Sequence, residues 1–157
     1  MLARDDPHPG LFDAYASMVE VLAGHGGAVA MAPTLQGEVL HVALRAFELL
    51  LLREIGLLPM LDVQTLTLEP LAPRCRYCLV PEGGLREAHD DDRASLFGAD
   101  WEALQRAMDG AGAFTALLLP CASVMQALRP QLRSLLNYHC GVATLRTRQM
   151  MMDLQSL

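Results

Sequence analysis

The stretch HVALRAFELLLLREIGLLP, His41 to Pro59, decides how this chain is read. Its apolar residues recur at helical spacing, and winding it at 100° per residue separates two faces. One carries Leu40, Ala43, Leu44, Phe47, Leu50 and Leu51 with no charge among them, and is expected to face the core. The other carries His41, Val42, Arg45, Glu48, Leu49, Leu52 and Arg53, so that Arg45 stands beside Val42, Leu49 and Leu52 instead of among other polar residues. A face that mixes a guanidinium with aliphatic side chains calls for a partner. Gly56 stops the helix after Ile55, and Pro59 confirms the stop.

Working outward, the 157 residues suit one compact domain with a real core and are too few for two. A composition of 52% hydrophobic and 19% charged residues excludes disorder as the main state. Aromatics make up only 5%, so the core has to rest on Leu, Val, Ala and Met. Arg45, Glu48, Arg53 and Glu54 interrupt the longest apolar runs, none of which reaches the roughly 20 residues of a membrane span. The N-terminal MLARDDPHPG lacks a basic region leading into an apolar stretch, so no secretory signal is read there and a cytosolic protein is expected.

All 12 basic residues are arginine, which reads first as the base composition of a GC-rich genome. Their placement is more informative. Residues 1–120 carry a net −9 and residues 121–157 a net +3, so an acidic protein ends in a basic segment. That asymmetry points to an anionic partner for the C-terminal part.

Along the chain, Leu11, Phe12, Tyr15, Met18, Val19 and Leu22 predict a first helix from about Pro9 to Ala23, ended by GHGG. The second helix begins near Val29 by its apolar pattern, with Thr34 as an alternative cap. From about residue 62 to 88 the pattern changes to RYCLV, the turn PEGG and LREA, a short β-hairpin after a weaker strand. HDDDR follows as a solvated turn, then a helix over about Ala99 to Met108. From Leu117 a long helical pattern contains Pro130, where it should kink or divide in two, and Gly141 ends it. TLRTRQMMMDLQSL predicts a final amphipathic helix with Arg146 and Arg148 in its first turn. The fold class is therefore mostly α: one helical domain over residues 1–157 with a small β-hairpin insertion at about 62–88.

Candidate chemistry is sparse. Cys75 and Cys78 have the CxxC spacing of zinc and redox centres, but zinc needs four ligands and no second CxxC or HxxxH completes the set. A redox pair belongs at the start of a helix, whereas these cysteines fall in a strand. Three consecutive acids at Asp90, Asp91 and Asp92 do not converge on one ion. There is no P-loop, GxSxG, HExxH or GxGxxG after a strand, and nothing argues for an enzyme. Arg129 and Arg133, at i and i+4, together with Arg146 and Arg148, form a modest basic set without interleaved aromatics.

Taken in order, LARDDPHPGLFDAY (2–15), LRAFELLLLREIG (44–56), RYCLVPEGGL (76–85), LRSLLNYHCG (132–141) and LRTRQMMMDL (145–154) resemble the C-terminal region of the bacterial DNA repair family RecO. The most telling pieces are the R-x-F-E pattern of Arg45, Phe47 and Glu48 and the closing Leu145 to Arg148. Members of the family begin with an OB-fold domain, and this sequence starts after it. Many carry a four-cysteine zinc knuckle in the β insertion; with a single CxxC here, no metal or other cofactor is expected.

The resemblance implies a recombination mediator module that works by binding. On that basis Arg45, with Val42, Leu49, Leu52 and Arg53, would bind the acidic C-terminal tail of single-stranded DNA-binding protein, a peptide ending in Phe with a free carboxylate. Arg129, Arg133, Arg146 and Arg148 would add contacts to DNA, with RecR as a further partner, no membrane, and a nucleoid-associated location. The alternatives are a thiol or metal-dependent enzyme centred on Cys75 and Cys78, and a purely structural helical adaptor in which Arg45 only pairs with Glu48.

Overall fold

The His41–Pro59 stretch does form a helix, and its end is built from the residues that the sequence offers there. In the computed structural model, which describes residues 9–27 and 33–140, helix α2 spans Pro33–Glu54. Proline at the first helical position loses nothing, because the N–H it lacks would have no partner in the first turn. At the other end, the Leu57 amide donates to the Leu52 carbonyl at 2.8 Å and the Gly56 amide to the Arg53 carbonyl at 3.0 Å, with Gly56 at φ +75°. This pair of bonds is a Schellman motif, and it needs a left-handed residue that glycine supplies without a Cβ penalty.

Helix α1 spans Pro9–Gly27 and so runs through GHGG, four residues past its expected end at Ala23. Glycine weakens a helix by roughly 0.5–1 kcal/mol relative to alanine without forbidding it. Helix α3 is Gly98–Asp109, and α4 is a single helix over Ala113–Cys140 with Pro120 and Pro130 inside it. Of the two outcomes expected at Pro130, a kink or a division into two helices, the division does not occur. The final helix expected around Arg146 lies outside the described residues.

The face of α2 that lies deepest differs from the expected one. Ala43, Ala46, Leu49 and Leu52 are fully buried, whereas Leu44, Phe47, Leu50 and Leu51 are half-buried and Leu40 is exposed. The physical reason is that α2 packs against two helices, α4 and α1. Phe47 goes to the α1 side, edge-on to the Tyr15 ring with 6.3 Å between centroids. Two alanines on the deepest stripe leave little side-chain bulk between α2 and its neighbours, while Leu117, Cys121, Leu128, Leu132 and Leu135 of α4 contribute the other wall of the core.

The insertion between α2 and α3 holds a three-stranded antiparallel sheet in the order β2-β1-β3. Its strands are β1 Arg76–Val80, β2 Gly84–Glu87 and β3 Leu96–Phe97. The hairpin pairs Val80 with Gly84 and Tyr77 with Glu87. Gly84 sits at φ +67°, and a Cβ on it would collide with Thr65, whose hydroxyl accepts the Leu85 amide at 2.8 Å. The weaker strand before the hairpin is reduced to one bridge between Val63 and Pro70, and β3, two residues long, was not anticipated.

Because β3 is so short, it faces only Arg76 and Tyr77 of β1, and the Leu79 amide beyond it lacks a strand partner. Gln131 of α4 takes that place. Its Oε1 accepts the Leu79 amide at 2.7 Å in a buried contact, while its Nε2 donates to the Ala127 carbonyl at 2.8 Å. Trp101 of α3 adds a second clasp, donating from Nε1 to the Tyr77 carbonyl at 3.1 Å. Leu61, at the entry to the insertion, donates its amide to Gln105 Oε1 of α3 at 2.9 Å.

A buried amide stripped of its acceptor costs about 1–3 kcal/mol. Gln131→Leu keeps the volume and removes the acceptor, so it should lower the unfolding free energy in urea by about that amount.

Candidate functional site

Arg45 and Glu48 lie one turn apart on α2, and their side chains form an ion pair, Arg45 Nη2 to Glu48 Oε1 at 2.9 Å. The pair is mostly covered, with side-chain exposures of 12% and 19%. It is joined at one point only: Arg45 Nε and Glu48 Oε2 are buried without a hydrogen-bond partner among the described residues. Burial pushes the Glu48 carboxyl up from its ordinary range, against the pull of Arg45 and of Arg129 on α4. The buried Cys121 of α4 feels the same pair, and burial pushes its thiol up to about 12.

Arg45 opens on one side into a cleft of about 360 Å³ between α2 and α4. His41, Leu44 and Arg45 line it from α2; Met125, Gln126 and Arg129 line it from α4. In each set an i, i+4 pair carries an arginine at its C-terminal end, so the two helices bring two guanidinium groups to one cleft that Leu44 and Met125 also line. The volume falls in the range of about 300–1,000 Å³ typical of small-ligand clefts.

This geometry rearranges the residues expected around Arg45. Leu49 and Leu52 are fully buried core residues and offer no bed to a partner, because the α2 stripe that carries them faces the domain interior. Val42 is half-buried and lines a neighbouring concavity with Arg76, Phe97 and Ser123. Arg53 is engaged elsewhere: its Nη2 meets Asp109 Oδ1 of α3 at 2.8 Å, which ties the ends of α2 and α3 together. Asp109 is itself fixed by two bonds from Gln105 Nε2, at 3.2 and 3.0 Å, and these with Arg53 hold its carboxyl below the usual range.

In their place stand Leu44, His41, Met125 and Gln126, which sequence reasoning did not assign to the site. Leu44 was expected in the core, and the α4 residues had no signal until the pairing of α2 with α4 was known. Arg129, expected at DNA, shares the cleft with Arg45. Arg133 is exposed one turn further along α4. Arg146 and Arg148 lie outside the described residues.

The CxxC pair is divided by the strand. Cys75 is exposed just before β1, and Cys78 is buried within it. The Cys78 thiol donates to Asp92 Oδ2 at 3.3 Å, and burial together with that carboxylate pushes it up to about 11. Asp92 is not a free member of a solvated turn. Arg86 grips it with two bonds, Nη1 to Oδ2 at 2.9 Å and Nη2 to Oδ1 at 3.0 Å, and the His89 amide donates to Oδ2 at 2.7 Å. These bonds, Arg86 first, hold the Asp92 carboxyl well below the usual carboxylate range. A protonated Cys78 beside a carboxylate already held by arginine is poorly suited to be a nucleophile or a ligand at neutral pH. Among the described residues no group of three or more His, Cys, Asp or Glu is placed to hold a metal ion. Also among them, no helix is long and apolar enough to cross a membrane.

No protein-family model matches the chain. Comparison with curated proteins finds relatives that align over the whole chain. The chain is 63% identical over 158 residues to the DNA repair protein RecO of Albidiferax ferrireducens, 60% over 162 residues to that of Variovorax paradoxus, and 57% over 157 residues to that of Polaromonas naphthalenivorans. Over its whole length the chain is similar to proteins named DNA repair protein RecO. Each alignment takes in 100% of the chain, which spans 59–60% of the length of these relatives. The mostly helical fold with a small sheet agrees with the fold class expected from the helical periodicity and the hairpin pattern.

Two measurements probe this region. At neutral pH, alkylation followed by peptide mapping should label exposed Cys75 well before Cys78, whose thiol is pushed up to about 11. Asp92 has a depressed folded-state pKa, so its stabilising effect is present above the ordinary carboxylate value of about 3.9 and is lost as pH falls below it. Asp92→Asn should therefore lower the thermal midpoint at pH 7 and leave a smaller difference from wild type at pH 3.

Proposed function

We propose that this protein acts in DNA repair as a binding module without bond chemistry of its own, and that the cleft between α2 and α4 receives the acidic, carboxylate-terminated tail of single-stranded DNA-binding protein. The observation that carries this reading is the meeting of Arg45 and Arg129 around Leu44 and Met125 in a cleft of about 360 Å³. A guanidinium holds a carboxylate through parallel N–H donors, and an apolar floor beside it suits an aromatic or aliphatic terminal side chain. The homology to proteins named DNA repair protein RecO supplies the setting.

In this reading Arg45 and Arg129 hold the peptide, and the exposed Arg133 continues the basic surface of α4 toward phosphates. Arg146 and Arg148 would extend that role. The net charge of −6 limits unaided DNA binding, so delivery to DNA through the tail of a DNA-bound partner is the physically favoured route. RecR and a recombinase are the further partners that this reading assigns to the module, which works by positioning.

One observation favours a structural role instead: Arg45 already has Glu48 as an ion partner at 2.9 Å. Fluorescence anisotropy with a labelled acidic peptide ending in Phe separates the two. Saturable binding is expected, weakened by salt, with a loss of about tenfold or more for Arg45→Glu and a smaller loss for Arg129→Glu. A folded wild-type protein that shows no binding would leave Arg45 as a structural residue.

A further inference from the structure

The cleft holds two arginines, yet one of them is already occupied by a carboxylate from its own helix. Resting on the reading of the cleft as a carboxylate-peptide site, we infer that Glu48 is a built-in placeholder: it holds the Arg45 guanidinium in the peptide-free protein and gives way when an incoming carboxylate engages Arg45.

Three observations converge on this role. The Arg45–Glu48 contact is made at one point, and the second donor of Arg45, Nε, and the second oxygen of Glu48, Oε2, are buried without partners among the described residues. A pair retained for stability alone would gain from closing the fork, because an unmet polar atom in a covered site is unfavourable. The contrast with Arg86 and Asp92 in this same chain, joined by two bonds at 2.9 and 3.0 Å, shows the closed form.

Charge gives the second observation. Two guanidinium groups, Arg45 and Arg129, act on the single carboxylate of Glu48, so the cluster carries one positive charge in excess, which a ligand carboxylate would neutralise. The third is burial. Covering the Glu48 carboxylate works against its ionised form, so that its hold on Arg45 is weaker than the distance alone conveys.

A placeholder of this kind sets selectivity as well as strength. Arg45 stays charged and pre-positioned, while ligands without a carboxylate cannot displace Glu48. A covered pair joined at one point, with Nε of Arg45 and Oε2 of Glu48 unmet among the described residues, leaves the exchange within reach of a short peptide.

The test titrates two labelled peptides of identical acidic sequence ending in Phe, one with a free C-terminal carboxylate and one amidated, into wild type, Glu48→Gln and Glu48→Met, with folding followed by circular dichroism. Removing the competitor should tighten the free-acid peptide by about two- to fivefold, the scale of a single weak ion pair, and should change the amidated peptide little. Wild-type binding that is unchanged or weakened in the folded variants overturns the placeholder and leaves the peptide site standing. Equal tightening of both peptides also overturns it, since the effect would then be general electrostatics. If neither wild type nor variants bind the free acid, the peptide site itself falls and the placeholder with it. Failure of both isosteric variants to fold would make Glu48 a structural residue and would equally overturn the proposal.

Discussion

The packing of α2 against α4 is the constraint on which the rest depends. Ala43 and Ala46 leave the deepest stripe of α2 nearly bare, and Leu117, Cys121, Leu128, Leu132 and Leu135 of α4 complete the core beside Leu49 and Leu52. Each fully buried leucine contributes about 1.5–3 kcal/mol relative to an exposed one, so this seam dominates the folding free energy. The same seam carries two polar consequences. On its rim it aligns Arg45 with Arg129, and on its flank it aims Gln131 at the one amide of β1 that the short β3 leaves unpaired.

Charged groups in this chain are used in two distinct ways. Arg86 and Asp92 form a closed, two-bond fork that also engages Cys78 and the His89 amide, and it pins the loop between β2 and β3. Arg53 and Asp109 similarly fasten α2 to α3. Arg45 and Glu48 are different: they are covered and joined at a single point, Arg45 lines a cleft, and a second cation, Arg129, lines that cleft and acts on Glu48. The difference in geometry separates charges that hold the fold from charges that remain available to exchange partners.

The helical periodicity made α1, α2, α3 and α4 legible, and the RYCLV-PEGG-LREA pattern made the hairpin legible. The end of α2 was readable from Gly56 because only a left-handed position there closes the helix with both Schellman bonds. β3 escaped because two residues give no periodicity to read, and its pairing with Arg76 and Tyr77 is entirely long-range. The depth order along α2 departs from the single-wheel expectation for a related reason. A single wheel assumes one covering surface, whereas α1 and α4 both cover this helix, so Leu49 and Leu52 went inward and Leu44 went to the cleft.

By itself the sequence determined the local elements, the position of Arg45 on a mixed face and the acidic-to-basic asymmetry of charge, because each of these is set by neighbours within a few residues. Tertiary structure alone decided which arginines meet. Arg45 and Arg53 share a helix yet serve different sites, while Arg45 and Arg129 are 84 positions apart and line one cleft. The physical reason is that side-chain neighbourhood on one helix follows its 3.6-residue turn, but neighbourhood between helices follows how their buried faces lock together, and that is fixed only when the whole core closes.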